Sequence, residues 1–296
     1  MRRSLLVCLL AALGAGCTPT AAPSPSGLSD YCAIATKTGL AGWSGDVVTV
    51  CDGPPAASDH EAPAACSIFR ASGGELSPIP LPDGVEAQLA LSAAGEKLVV
   101  LTTDARLLYG PPSGPLAELA SWAAEPAISD DGARLAYVTL AEGFTEPELG
   151  VPTQIVVHDL AADRREVLTT DELASSPFPV PGSAEVLFVS TSTGVASLWR
   201  GAPGQEAAQL TNVGMTRVEQ GFIPVPARQL AWLGAGEAVF TAEYEDARVW
   251  RLDVGSGVAE ELGPGAWPRA NADGSITAKH RSGDECSVTY LDGRTP

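Results

Sequence analysis

The chain reads as an all-β protein: six four-stranded antiparallel units stacked side by side into a closed ring. Three observations predict this. A strand, glycine turn, apolar strand motif recurs six times along the 296 residues. A second motif, aliphatic then aromatic then arginine, keeps step with the first. Gly 31 and Pro 24 favour many turns over long helices, while 45% hydrophobic residues suffice to fill a core.

The elements follow in chain order. Met1-Arg2-Arg3 supplies a positive start, and Leu5 to Leu13 an apolar stretch too short to span a bilayer as a finished helix. Gly14-Ala15-Gly16 and then Cys17 follow. This resembles the bacterial lipoprotein signal, in which cleavage leaves the cysteine as an acylated N-terminus. The resemblance implies a signal peptide over 1–16 and lipidation of Cys17, with membrane attachment through that acyl anchor. An ordinary secretory signal cut nearby, with Cys17 a spare thiol, is the alternative; either way the mature chain is exported. Residues 18–27 carry three prolines, no charge and no large apolar side chain. The segment 17–28 is therefore expected to be the lipidated cysteine and an extended tether, leaving 29–296 for the ring. Thr18, rather than Asp, follows the cysteine. By resemblance to the sorting rule of enteric bacteria, this implies the periplasmic face of the outer membrane or the cell surface.

The repeat glycines are Gly45, Gly95, Gly132, Gly182, Gly236 and Gly274, spaced by 50, 37, 50, 54 and 38. Glycine supplies positive φ in a tight turn, and the β-branched runs after each one are strand chemistry. Ile68-Phe69-Arg70, Leu198-Trp199-Arg200 and Val249-Trp250-Arg251 mark a third strand in three of the units. Leu108-Tyr109, Val157-His158 and Thr289-Tyr290 fill the matching slots elsewhere. A lone four-stranded sheet cannot bury both faces, so the units must stack. Radial stacking as a six-bladed β-propeller leaves only short, protected edges.

Ile128-Ser-Asp-Asp-Gly132-Ala-Arg-Leu-Ala-Tyr-Val, with Gln209-Leu-Thr-Asn212 in the next unit, resembles the WD-like repeat of the TolB-like β-propellers. The resemblance covers residues 40–296 and is strongest in units three and four. TolB itself carries a separate α/β domain ahead of its propeller, where this chain has the short tether, so a Tol-system role is not expected to carry over.

The sixth unit runs out at Pro296 before a fourth strand. Residues 29–37 are expected to supply it, closing the ring by completing the last blade. Cys32, Cys51, Cys66 and Cys286 remain after the signal cysteine Cys8 and Cys17, and four cysteines in an oxidising compartment allow three pairings. Cys66 and Cys286 hold the same third-strand slot in units one and six. Cys51 ends the strand beside Cys66. The repeats therefore favour Cys51–Cys66 and Cys32–Cys286.

With 36 acidic and 18 basic residues the net charge is −18, and a surface built to neutralise phosphates is excluded, so no nucleic-acid partner is expected. His60 lacks the second histidine of a zincin helix, His158 falls in a strand slot, and His280 follows Lys279 in the last unit. Gly42-Trp43-Ser44-Gly45 has the wrong spacing for a nucleophile elbow. Asp130-Asp131-Gly132 and Asn271-Ala-Asp273-Gly274 resemble calcium-loop fragments, yet both sit at the repeat's own turn, and turn chemistry explains them. The innermost strands, expected over 39–43, 87–92, 126–129, 176–181, 229–233 and 268–271, hold no Asp, Glu or His; Gln88, Asn271 and Arg269 are among their larger polar residues.

No catalytic residue, metal site or cofactor is therefore expected. The inserts 52–64 and 141–152 are candidate binding surface, the latter through Phe144, Glu146 and Glu148. The function expected is a non-catalytic, lipid-anchored envelope propeller that serves as a protein–protein interaction scaffold for an envelope protein. The alternative is a propeller hydrolase or lactonase, or a glycan-binding protein, with its ligand in the central channel.

Overall fold

The computed structural model describes residues 39–44, 47–51, 66–72, 75–93, 97–129, 131–146, 151–171, 174–194, 197–211, 230–234, 236–243, 247–270, 274–282 and 285–291. The signal, the tether, Cys17, Cys32 and the segment 29–37 lie outside them. The described residues form strands and turns with no helix.

Strands run in antiparallel meanders. The first is β1 (Gly39–Ser44), β2 (Val47–Cys51), β3 (Cys66–Ser72) and β4 (Glu75–Pro78), and the second β5 (Ala87–Ala93), β6 (Lys97–Thr102), β7 (Leu107–Gly110) and β8 (Ala117–Ala120). β9 (Ala124–Ile128), β10 (Arg134–Leu140), β11 (Thr153–Asp159) and β12 (Arg164–Thr169) form the third. The fourth is β13 (Ala174–Pro179), β14 (Val186–Ser190), β15 (Ser197–Gly201) and β16 (Ala208–Gln209). β17 (Leu230–Gly234), β18 (Glu237–Glu243), β19 (Ala247–Asp253) and β20 (Ala259–Pro264) form the fifth, and β21 (Ala266–Ala270), β22 (Ile276–Ser282) and β23 (Glu285–Tyr290) the last.

The expected six separate four-stranded blades are corrected to five hydrogen-bonded sheets. The first two meanders join into one eight-stranded sheet, three sheets have four strands, and the last has three. The join is a single bridge, Cys66 opposite Ala87, where β3 outruns the short β4 and meets β5. Among the described residues no fourth strand pairs with the last sheet.

Packing explains why the strands are apolar on both faces. Five apolar clusters lie one between each consecutive pair of meanders. Val47 and Ile68 meet Leu98, Val100 and Leu108. Val99, Leu101 and Leu107 meet Leu135, Tyr137 and Val156. Ala136, Ile155 and Val157 meet Val186 and Phe188. Leu187, Val189 and Leu198 meet Phe240, Leu252 and Val254. Val239 and Val249 meet Ile276 and Ala278. Alternate residues of β6, β10, β14 and β18 thus serve opposite neighbours, which the period-two geometry of a strand requires.

The first strands of neighbouring meanders, β1 with β5, β5 with β9, β9 with β13 and β17 with β21, lie against one another, so they form the inner wall. Each of the six first strands carries one residue too many for its partner, a β-bulge. In three of them a proline stands in the bulge: Pro126, Pro177 and Pro268. Proline has no N–H to contribute to the ladder, so the bulge is where it fits. The repeat glycines behave as expected where described: Gly132, Gly182 and Gly274 have φ of 65°, 67° and 79°.

Candidate functional site

In an antiparallel meander, the connections from second to third strand and from fourth strand to the next first strand emerge on the same face of the ring. Those on the opposite face are all short. The three long connections, 52–65, 141–152 and 210–229, therefore all leave from and return to one face. Sequence reasoning found the first two and missed the third, because only the paired strands reveal where it begins and ends.

The 141–152 connection is pinned at its base by Ala141 N–H donating to the Pro152 carbonyl (2.9 Å) and turned by Phe144 N–H donating to the Ala141 carbonyl (3.2 Å). Phe144 is 47% exposed, and Glu142 and Glu146 beside it are exposed. An aromatic ring held in water between carboxylates is a surface that a partner can desolvate. Glu148, and most of the 52–65 and 210–229 connections, lie outside the described residues.

The inner wall corrects one expectation. β9 begins two residues earlier than expected and so carries a carboxylate, Glu125. Its Oε2 accepts from Ser176 N–H (2.5 Å) and Ser176 Oγ (3.4 Å) on β13, the next inner strand. Both residues sit in their strands' bulges and both have left-handed backbones, φ 49° and 47°. Such conformations cost a non-glycine residue on the order of 1–2 kcal/mol and cluster where surroundings over-determine them. The legible signal was the repeated residue-Pro pair at 125–126 and 176–177, which marks the bulge.

The histidines divide as their positions dictate. His158 is buried, with Nε2 donating to Asp163 Oδ1 at 2.9 Å and Nδ1 buried without a partner; it is a sheet residue opposite Leu135. His280 lies on β22 opposite Ser287, and His60 falls outside the described residues. Gly42, Trp43 and Ser44 are residues of β1. Cys51 stands directly across from Cys66 in the β2–β3 ladder, and Cys286 across from Arg281. No group of three or more His, Cys, Asp or Glu converges among the described residues.

Asp131 is a turn residue. Its Oδ1 accepts from Ser129 Oγ (2.6 Å) and Ala133 N–H (2.9 Å), and these bonds, the Ser129 hydroxyl first, hold its carboxyl below the usual 3.8. Thr102 Oγ1 does the same for Asp104, and backbone N–H groups of Ala162 and Ser256 for Asp159 and Asp253. Asp130 and the 271–273 fragment lie outside the described residues. The unfolded chain takes up protons on these groups at a pH where the folded chain does not. Their stabilisation is therefore full above about pH 4 and is lost as pH falls through the lower folded values. Thermal melts are expected to stay level from neutral pH to about 5 and to drop below about 4, with Asp131→Asn flattening part of that drop; a melting temperature that rises on acidification contradicts the assignment.

At the outer rim, between the first two meanders, lies an open cavity of about 400 Å³ lined by Arg70, Ser77, Pro78 and Pro80 and by Pro111, Pro112 and Ser113 of the β7–β8 turn.

Comparison with solved structures settles the architecture. TolB from Acinetobacter baumannii superposes with a TM-score of 0.55 at 15% identity, over 83% of this chain and 61% of that one. The fold is that of a TolB-like β-propeller. The chain spans less than two thirds of the Acinetobacter TolB. The putative TolB from Agrobacterium tumefaciens matches this propeller with a TM-score of 0.52 at 16% identity, over 84% and 88% of the two chains. An oligogalacturonate lyase in complex with manganese matches with 0.56 at 11% identity, over 84% and 72%. The propeller matches no family model and no curated protein.

Proposed function

We propose that this chain is an exported, lipid-anchored envelope propeller, held by Cys17, whose long-connection face docks an envelope protein without catalysis. The observation that carries the proposal is topological. The three long connections converge on one face of a rigid ring, and the described part of one of them presents Phe144 between Glu142 and Glu146. Loops positioned by a scaffold are where recognition tends to sit. The cysteine-bearing signal and the proline tether support the anchored, outer-membrane part of the proposal.

The same proposal includes six repeat units closed by residues 29–37 beside β23. Cys51 is the register partner of Cys66, which supports the pairing Cys51–Cys66 and leaves Cys32 to pair with Cys286.

The test is quantitative cross-linking of the full lipidated protein in its own envelope, with and without Phe144→Ala/Glu142→Ala/Glu146→Ala. A stoichiometric cross-link that falls about tenfold in the triple variant is expected, because a desolvated aromatic anchor dominates such a face. An unchanged cross-link removes the loop from the interface.

A second function is favoured by one observation: Glu125 stands on the inner wall, and the neighbour in complex with manganese is a lyase of oligogalacturonate. In this reading the channel holds a glycan or a divalent ion. Stabilisation of the propeller by oligogalacturonate with Mn²⁺, abolished by Glu125→Gln, supports it; absence of any shift returns the weight to docking.

A further inference from the structure

We propose that the rim cavity between the first two meanders docks a tryptophan side chain of a partner protein. β4 sets its first wall. Pro78 stands opposite Phe69, and the next residue, Ile79, donates its N–H to the Ile68 carbonyl (2.8 Å). Bonded and non-bonded pairs alternate along an antiparallel ladder, so Pro78 falls in a non-bonded pair and turns its carbonyl away from β3. Being proline, it has no N–H beside that carbonyl. The chain alternates beyond it: Ile79 is buried and Leu81 packs on the same apolar cluster, while Pro78, Pro80 and Pro82 are exposed.

The β7–β8 turn of the next meander sets the second wall with Pro111 and Pro112. Two glycines let this turn close tightly. A Cβ on Gly114 would stand 2.6 Å from the Pro111 ring, and one on Gly110 would run into the Pro115 carbonyl. Gly114 N–H donates to the Pro111 carbonyl (3.1 Å). The two walls share one cavity of about 400 Å³, within the size range of small-ligand sites. Pro78 alone would protect the outer edge of β4 from pairing, but that role does not account for a second proline wall on the neighbouring meander. The lining names the occupant. Proline rings offer rigid C–H faces on which an aromatic ring stacks, and the Pro78 carbonyl asks for a donor. Indole brings both a large flat apolar body and an N–H that seeks an acceptor on leaving water, with no acceptor of its own to strand. Arg70, at one end of the cavity, holds an interaction of its own, so recognition rests on the prolines. Because both walls are proline, little ordering entropy is lost on binding. The site is independent of the long-connection face.

The experiment titrates the full-length mature protein in micelles with N-acetyltryptophanamide, which carries the side chain between two peptide bonds, and with its 1-methylindole derivative, followed by amide shifts. Saturable shifts at Ser77, Ile79 and Ser113 are expected, with the methylated probe about tenfold weaker because it has lost the donor. Pro78→Ala is expected to lower the affinity severalfold. Ser113→Trp, a change confined to the exposed β7–β8 turn, is expected to fill the mouth and abolish binding, and it decides the matter if Pro78→Ala does not fold. Unsaturable shifts, equal affinities for the two probes, or binding that survives Ser113→Trp overturn the proposal. Free indole that binds where N-acetyltryptophanamide does not makes the cavity a small-molecule site and overturns the partner assignment.

Discussion

Replacing Phe240 with alanine is expected to cost about 3–5 kcal/mol, the range for truncating a buried aromatic side chain. Phe240 is fully buried at the centre of β18, where it meets Leu187 and Leu198 of the fourth meander and Leu252 of its own. The cavity left behind cannot close easily, because both flanking sheets are pinned by their own ladders and by the Arg200–Val254 bond. For a domain of this size the melting temperature should fall by roughly 10 °C. Val258→Ala is the control: Val258 is 64% exposed, and its truncation should change stability by no more than about 0.5 kcal/mol. Equal effects from the two, in denaturant titrations of the purified protein, contradict the packing described.

Glu125→Ala is expected to cost about 1–3 kcal/mol, the desolvation penalty of a buried donor that has lost its acceptor. Ser176 is buried, and its N–H donates to the Glu125 carboxylate because the β13 bulge turns it away from the ladder. The left-handed backbone of Glu125 offers a second handle. Glu125→Gly loses the same bond but relieves the backbone, so it should be less damaging than Glu125→Ala by about 1 kcal/mol. If alanine and glycine are equally destabilising, the strain is not there; if neither destabilises, the carboxylate is not a clamp. A wall residue that also binds a channel ligand gives a further signature, a ligand-induced rise in stability that Glu125→Gln removes.

The meanders were legible in the sequence because each is a local object. Glycine at 132, 182 and 274 forces a turn with positive φ, and runs such as Leu98-Val99-Val100-Leu101 or Val186-Leu187-Phe188-Val189 have no exposed face to spare, so they require sheets on both sides. The slot shared by Ile68-Phe69-Arg70 and Leu198-Trp199-Arg200 marked the third strand correctly. Glu125 was not legible as a wall residue. Its assignment depends on where β9 starts, and pairing with β10 extends that strand to Ala124. Nor was the fusion of the first two meanders, which rests on one bridge between Cys66 and Ala87.

By itself, the sequence determined an all-β chain of repeated meanders, the positions of its turns, its acidic balance and the insert carrying Phe144. These follow from side-chain chemistry acting on near neighbours: glycine and proline set the backbone, and apolar alternation sets which faces need cover. Only the tertiary structure decided that the three long connections share one face, that a carboxylate from β9 reaches the neighbouring inner strand, and that Arg200 of β15 donates to the Val254 carbonyl of the next meander. Each of these joins residues some forty or more positions apart, and such meetings are fixed by how the sheets stack, by strand direction and register, rather than by any local preference of the chain.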